Sequence, residues 1–381
     1  MGRIALLSDL HMGSGDHSEQ FRADAALRAQ LEAFAWDKSL SDVVLLGDTF
    51  DLSGSGTASG SQSAALSRLR TVLHAHPDVV TAMRSIVRHG KRLHFVQGNH
   101  DVELAGEQIQ AALRQSLAAV DASNIHFVPW LCHIPGLLLA EHGNQHHDIN
   151  AFDTVLQPLS DLGEIAAQPF GAKLARLRDQ HGAVSVLPRA AWTATSEATR
   201  LCGRARKDRR TAYRREVLPR YAAQVDLSEQ CVLDLDRLGQ HGPVAILCRL
   251  ARQAVRRSDR SYLILAAHKV RQALGDAAPP FIVMGHSHSA DARLLVSETH
   301  AAPAVYLNTG TWSLRGPGVR DTTLRPTTRT WVEIDPAKGR RSARAEVLHL
   351  AGDGTRMLLA EATATGSVTR ASRSSQTINS T

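Results

Sequence analysis

The chain has 381 residues, 44 Lys and Arg against 37 Asp and Glu, a formal charge of +7, and 43% hydrophobic residues. That balance excludes a disordered or fibrous protein and leaves ample material for a hydrophobic core. The four Cys (Cys132, Cys202, Cys231, Cys248) form no Cys-x-x-Cys pair, which argues against a disulfide framework or a thiolate zinc site.

Taken in chain order, short apolar runs alternate with helical patterns. Ile4–Leu7 precedes Ser8-Asp9-Leu10-His11. Phe21–Trp36 has apolar residues at helical spacing. Val43–Leu46 precedes Gly47-Asp48, and Ser53–Ala65 reads as a Gly/Ser-rich loop. Leu66–Arg88 is helical again, with a break expected at Pro77. Leu93–Val96 precedes Gly98-Asn99-His100-Asp101, and Leu137–Ala140 precedes Glu141-His142-Gly143. Runs of this length bounded by such breakers suit buried strands, and strand–helix alternation predicts an α/β layered fold.

Residues 151–275 break the alternation, being rich in Arg, Ala and Leu, and are expected to form a helical insertion or cap. Within it Val244–Arg257 reads as a basic amphipathic helix. Residues 201–260 hold 14 Lys and Arg against 7 Asp and Glu, so this stretch supplies the whole excess charge. Strands resume at Phe281–Met284, before Gly285-His286-Ser287-His288, and at Ala304–Leu307, before Asn308-Thr-Gly-Thr-Trp312. Arg329–Ile334 and Ala343–Leu350 read as a hairpin. Residues 1–150 and 276–350 are thus assigned to the core and 351–381 to a C-terminal extension, disordered from about 365. No apolar run reaches the ~20 residues that span a bilayer, and the start is charged too early for a signal peptide, so a cytoplasmic protein is expected.

The loops at the strand ends collect Asp9, His11, Asp48, Asp51, Asn99, His100, His142, His286 and His288. Carboxylates, imidazoles and an amide oxygen suit Mn²⁺, Fe or Zn²⁺, and they outnumber the needs of one ion. Two ions sharing a carboxylate would clamp a phosphoryl group and an attacking oxygen together. With only two ionised carboxylates between them, such a pair keeps net positive charge for an anionic substrate.

The ordered set Asp9-Leu-His11, Gly47-Asp48-Thr-Phe-Asp51, Gly98-Asn99-His100-Asp101, His142 and Gly285-His286-Ser-His288 resembles the calcineurin-like metallophosphoesterases. The resemblance implies a four-layer α-β-β-α sandwich interrupted here by the helical insertion. It implies two divalent metal ions, manganese first, with iron or zinc as the other choices. One ion would be held by Asp9, His11, Asp48 and His288, the other by Asp48, Asn99, His142 and His286. A hydroxide bridging them would attack phosphorus in line. His100 would protonate the leaving oxygen and Asp51 would hold His100. Asp101 and Glu141 are read as structural, and His146 and His147 as lying outside the ligand set.

Asn308–Trp312 is similar to a segment of bacterial UDP-diacylglucosamine pyrophosphatases and would close one wall of the site. His17 and Arg315 are candidate phosphate contacts. The expected substrate is a phosphomonoester, phosphodiester or pyrophosphate, nucleotide- or lipid-linked. The alternatives are a nuclease of the same family and a catalytically silent scaffold. For the basic stretch 201–260 three readings stand: a solvated face, a cap that gathers anionic substrates, or a contact with nucleic acid or an anionic membrane surface.

Overall fold

The computed structural model describes residues 1–16, 19–52, 62–118, 122–160, 204–240, 262–296, 302–313, 328–336, 342–371 and 377–378. His17, Arg315, most of the Gly/Ser-rich loop and the Val244–Arg257 helix lie outside the described residues. Helix α2 includes the loop's last residues, starting at Gln62 rather than after Ala65.

Two sheets face each other. In the first, strands β1 (Arg3–Leu7), β2 (Leu40–Leu46), β3 (Arg92–Val96) and β4 (Ile125–Val128) run parallel, in the register Leu7↔Leu45 and Leu46↔Val96. On the other side of β1 the sheet continues antiparallel through β10 (Thr330–Asp335), β11 (Arg344–Leu350), β12 (Arg356–Thr363) and β13 (Val368–Arg370), and β14 (Thr377–Ile378) also pairs with β12. The second sheet has the order β5 (Cys132–Ile134), β6 (Leu138–Glu141), β7 (Phe281–Met284), β9 (Ala304–Asn308), β8 (Asp291–Leu295).

Alternation along the strands sorts side chains into layers. Leu7, Val43, Leu45 and Phe95 point to one face of the first sheet. They pack against α1 (Asp24–Trp36), α2 (Gln62–Ala75), α3 (Pro77–Arg88) and α4 (Glu107–Leu117). Pro77 sits at the start of α3, where its missing N–H costs nothing. Ile4, Leu6, Val44, Leu46 and Val96 take the opposite face and meet Leu138, Ala140, Phe281, Val283 and Leu307 of the second sheet.

The outer face of the second sheet carries Leu139, Ile282, Met284 and Tyr306, which also need cover. That cover comes from the expected insertion: Tyr213 of α5 (Arg204–Glu216), Leu218 of α6 (Leu218–Gln224), Leu235 of α7 (Glu229–Leu238), and Leu263 and Val270 of α8 (Tyr262–Leu274). Its described helices thus form a fourth layer on that face of the sandwich. Their charges are partly spent internally, for Arg210 and Arg214 both reach Asp236, at 2.7 and 3.3 Å. Among the described residues no helix is long and apolar enough to cross a membrane.

Among the described residues the stretch beyond Leu350 forms β12 and β13, which extend the first sheet past position 365, with Ala360↔Arg370 and Ala362↔Val368 in register.

Candidate metal centre

The carboxyl ends of β1, β2, β3, β6 and β7 lie together, and each leads into one of the motif loops. The backbone there is unusual. Asp9, His11, Asp48, His286 and His288 all adopt positive φ, between 50° and 62°. This left-handed conformation is costly for such residues and persists where surrounding structure enforces it. The motif glycines allow the crowding: a Cβ on Gly98 would come within 2.3 Å of Asp48 Oδ1, and one on Gly47 within 2.5 Å of the His142 ring.

Among the described residues three sets of donor atoms result, each within 4.8 Å: Asp9, His11 and His288; Asp48, His142 and His286; and His11, Asp48 and His100. His288 Nε2 lies 3.1 Å from Asp9 Oδ1 and 3.2 Å from His11 Nε2. His142 Nε2 lies 3.2 Å from both Asp48 Oδ2 and His286 Nδ1. The same Asp48 Oδ2 is 3.7 Å from His11 Nε2, so one oxygen stands between the first two sets.

The other ring nitrogens fix orientation. His11 Nδ1 donates to Asp51 Oδ1 (2.8 Å) and His142 Nδ1 to the Leu46 carbonyl (2.9 Å), which leaves each Nε2 facing the centre. His100 Nδ1 reaches the same Asp51 oxygen (3.0 Å), and the His100 backbone N–H donates to Asp48 Oδ1 (2.8 Å). The His100 side chain is 34% exposed, against 2% for His11 and 1% for His142, so a molecule in the cleft can touch it.

Burial alone would raise the carboxyl groups, but the imidazoles outweigh it. His288 and His142 hold Asp9 down at about 2, His142 and His100 hold Asp48 well below the carboxylate range, and His11 and His100 do the same for Asp51. Against its own burial, His142 is pushed up to about 10 by Asp48 and Asp9, so the pocket favours positive charge at that point. His286 goes the other way: burial, with His142 beside it, holds it well below 6.5 and neutral. Asn99 Oδ1 is buried with no hydrogen-bond partner among the described residues, as is Asp9 Oδ1 apart from its approach to His288. Orphaned buried oxygens in a pocket that favours positive charge fit a divalent cation.

The supporting residues are informative. Asp101 is fully buried and accepts the backbone N–H groups of Asp48 (3.3 Å), Thr49 (2.7 Å), Phe50 (3.4 Å) and Gly98 (2.8 Å), tying two motif loops together. Glu141 accepts from Trp130 Nε1 (2.9 Å) and pairs with His146 Nε2 (2.7 Å), away from the donor sets. Asn308–Trp312 braces the centre from behind: Asn308 Nδ2 donates to the Gly285 carbonyl (2.8 Å) and Thr311 Oγ1 to that of Asp9 (2.8 Å). Sequence reasoning missed Ser8, whose Oγ donates to Asp9 Oδ2, and Asn150, whose Nδ2 lies 3.2 Å from His286 Nε2. Neither position carries a motif spacing, and only the folded loops bring them in.

Residues 2–196 match the calcineurin-like phosphoesterase family, and the chain belongs to it. It is accordingly a phosphoester hydrolase of a metal-dependent family. No curated protein matches the chain. Solved structures similar to it include a cold-active protein tyrosine phosphatase, at 12% identity over 96% of this chain and 81% of that one, with a TM-score of 0.30. Another is the phosphopantetheinyl hydrolase of Mycobacterium tuberculosis, at 12% identity over 85% of this chain and 98% of that one, with a TM-score of 0.27.

Proposed function

We propose that the chain hydrolyses a phosphoester or phosphoanhydride at a centre for two divalent ions, manganese by preference. Asp9, His11, Asp48 and His288 would hold one ion and Asp48, Asn99, His142 and His286 the other. The observation that carries this reading is the position of Asp48 Oδ2, 3.2 Å from His142 Nε2 and 3.7 Å from His11 Nε2. Two ions bound there supply hydroxide near neutral pH and neutralise phosphoryl oxygens.

The protein's own groups do the rest. Asp51 holds His100 through Nδ1, which fixes the tautomer and leaves the other nitrogen for the cleft. His100 protonates the leaving oxygen. The backbone bond from His100 to Asp48 keeps that acid in step with the shared carboxylate. Asp101, by tethering both loops, fixes the distance between them. The inward pairing of Arg210 and Arg214 on Asp236 favours a structural role for part of the basic stretch over docking on a membrane or nucleic acid.

The test is metal analysis beside one Mn²⁺-supplemented panel of monoesters, cyclic and linear diesters, nucleoside pyrophosphates, lipid pyrophosphates and single-stranded DNA. Hydrolysis of one class with two ions per chain is expected. Asp48→Ala should lose metal and activity, while His100→Ala should keep metal and lose turnover. Preferred DNA cleavage would make the chain a nuclease. Normal turnover in either variant would overturn the mechanism, and a metal-free, inactive protein would make it a scaffold.

A further inference from the structure

The loop leaving β6 is built more carefully than its motif requires. Gly143 turns it at φ 101°. Buried Asn144 donates through Nδ2 to the carbonyl of Asn150 (3.1 Å). Buried Gln145 accepts from the Phe152 N–H (2.7 Å) and donates to the Phe152 carbonyl (3.1 Å). The N–H groups of Asn150 and Ala151 both donate to the His147 carbonyl, at 3.0 and 3.1 Å. Two buried amide side chains thus clamp residues 150–152, and the clamp delivers the Asn150 amide to Nε2 of His286.

That contact decides a tautomer. A ligating imidazole needs a lone pair on one nitrogen, and the partner of the other nitrogen selects which. His11 and His142 meet pure acceptors at Nδ1, so their Nε2 atoms are the ligating ones. His286 is reversed: Nδ1 faces His142 Nε2 across 3.2 Å, and Nε2 points to Asn150 at 3.2 Å. An amide serves either tautomer, donating through Nδ2 or, after a half-turn, accepting through Oδ1. With Nδ2 against the ring, the proton sits on Nδ1 and the lone pair is lost to the centre. With Oδ1 against it, the proton sits on Nε2 and Nδ1 can ligate.

We propose that Asn150 is a positioning residue for His286: its amide oxygen accepts the Nε2 proton and holds Nδ1 in the ligating form for the ion shared by Asp48, His142 and His286. The proposal rests on the two-ion reading of the centre. Calorimetric Mn²⁺ titration of the full chain tests it, with Asn150→Ala and Asn150→Asp compared to wild type. Asn150→Ala should weaken one of the two ions by about 10- to 100-fold, the usual range for such outer partners, and leave the other unchanged. Asn150→Asp, which can only accept, should keep both. Wild-type affinity for both ions in Asn150→Ala would overturn the proposal, and so would an equal loss in both variants, which marks a merely structural loop residue. A wild-type chain that binds fewer than two ions would instead overturn the two-ion reading, before any variant is compared.

Discussion

The rings of His11 and His100 meet edge-on with centroids 4.6 Å apart, and their Nδ1 atoms converge on one oxygen of Asp51, at 2.8 and 3.0 Å. One carboxylate therefore orients both an imidazole proposed as a metal ligand and the half-buried imidazole proposed as the acid. Asp51→Asn keeps an oxygen there but removes the charge that both rings feel. Its expected effect is double: about 10- to 100-fold weaker Mn²⁺ binding and a loss of turnover within the 10²–10⁴-fold range of general acid catalysis. His100→Ala should lose turnover alone. Steady-state kinetics beside metal titration separates them, and an Asp51→Asn variant with unchanged metal affinity would show that His11 does not depend on it.

Asp101 takes four backbone N–H groups on its two oxygens. Asparagine in its place turns one acceptor into an NH₂ group facing N–H donors. At least one buried donor then loses its partner, which costs about 1–3 kcal/mol. Asp101→Asn should lower Tm by several degrees in thermal unfolding and lower activity with it, since Gly98 and Asp48 share the tether. Unchanged Tm would mean that the loops hold without it.

His76 predicts a pH dependence away from the centre. Its Nδ1 lies 2.6 Å from Asp24 and its Nε2 3.5 Å from Glu19, joining α1, the loop after β1 and the start of α3. Burial lowers His76, but Glu19 and Asp24 outweigh it and raise the pKa above 6.5, while Glu19 is lowered against its own burial by His76. A raised His stabilises fully below its unfolded value and loses that contribution as pH climbs through the folded one; the lowered Glu19 contributes above its unfolded value. The arrangement is strongest between about pH 4.5 and 6.5. His76→Gln should therefore lower Tm more at pH 6 than at pH 9, and an equal loss at both would leave only packing.

What could be read from the sequence follows burial. β1, β2, β6, β7 and β9 contain continuous apolar runs because helices or the opposite sheet cover both their faces, and the ends of these strands and of β3 lead to the motif residues. β5, with three residues, and the edge strands β8 and β13 lack such runs, because they are short, partly exposed or interrupted by charge. The fourth layer was legible as helices but not as a layer, since nothing local says which sheet face a helix will cover. Asn150 and Ser8 were invisible for a related reason: their partners lie 136 residues away at His286, or on the adjacent residue in a backbone conformation that no motif encodes.

Metal removal offers the broadest check on the centre. Asp9 and Asp48 sit 0% and 1% exposed, and Asp48 works against the ionisation of Asp9, an effect that His288 and His142 more than offset. Positive charge placed between the two carboxylates is favourable, and a divalent ion that binds the folded chain and not the unfolded one stabilises it by mass action. At a hundredfold excess over the dissociation constant the gain is about 2.7 kcal/mol per site. Tm should therefore rise stepwise with added Mn²⁺ and fall by several degrees in chelator. In Asp48→Asn the rise should vanish, because the carboxylate proposed to serve both ions has lost its charge. A Tm that ignores Mn²⁺ in the wild-type chain would remove the foundation of the two-ion mechanism.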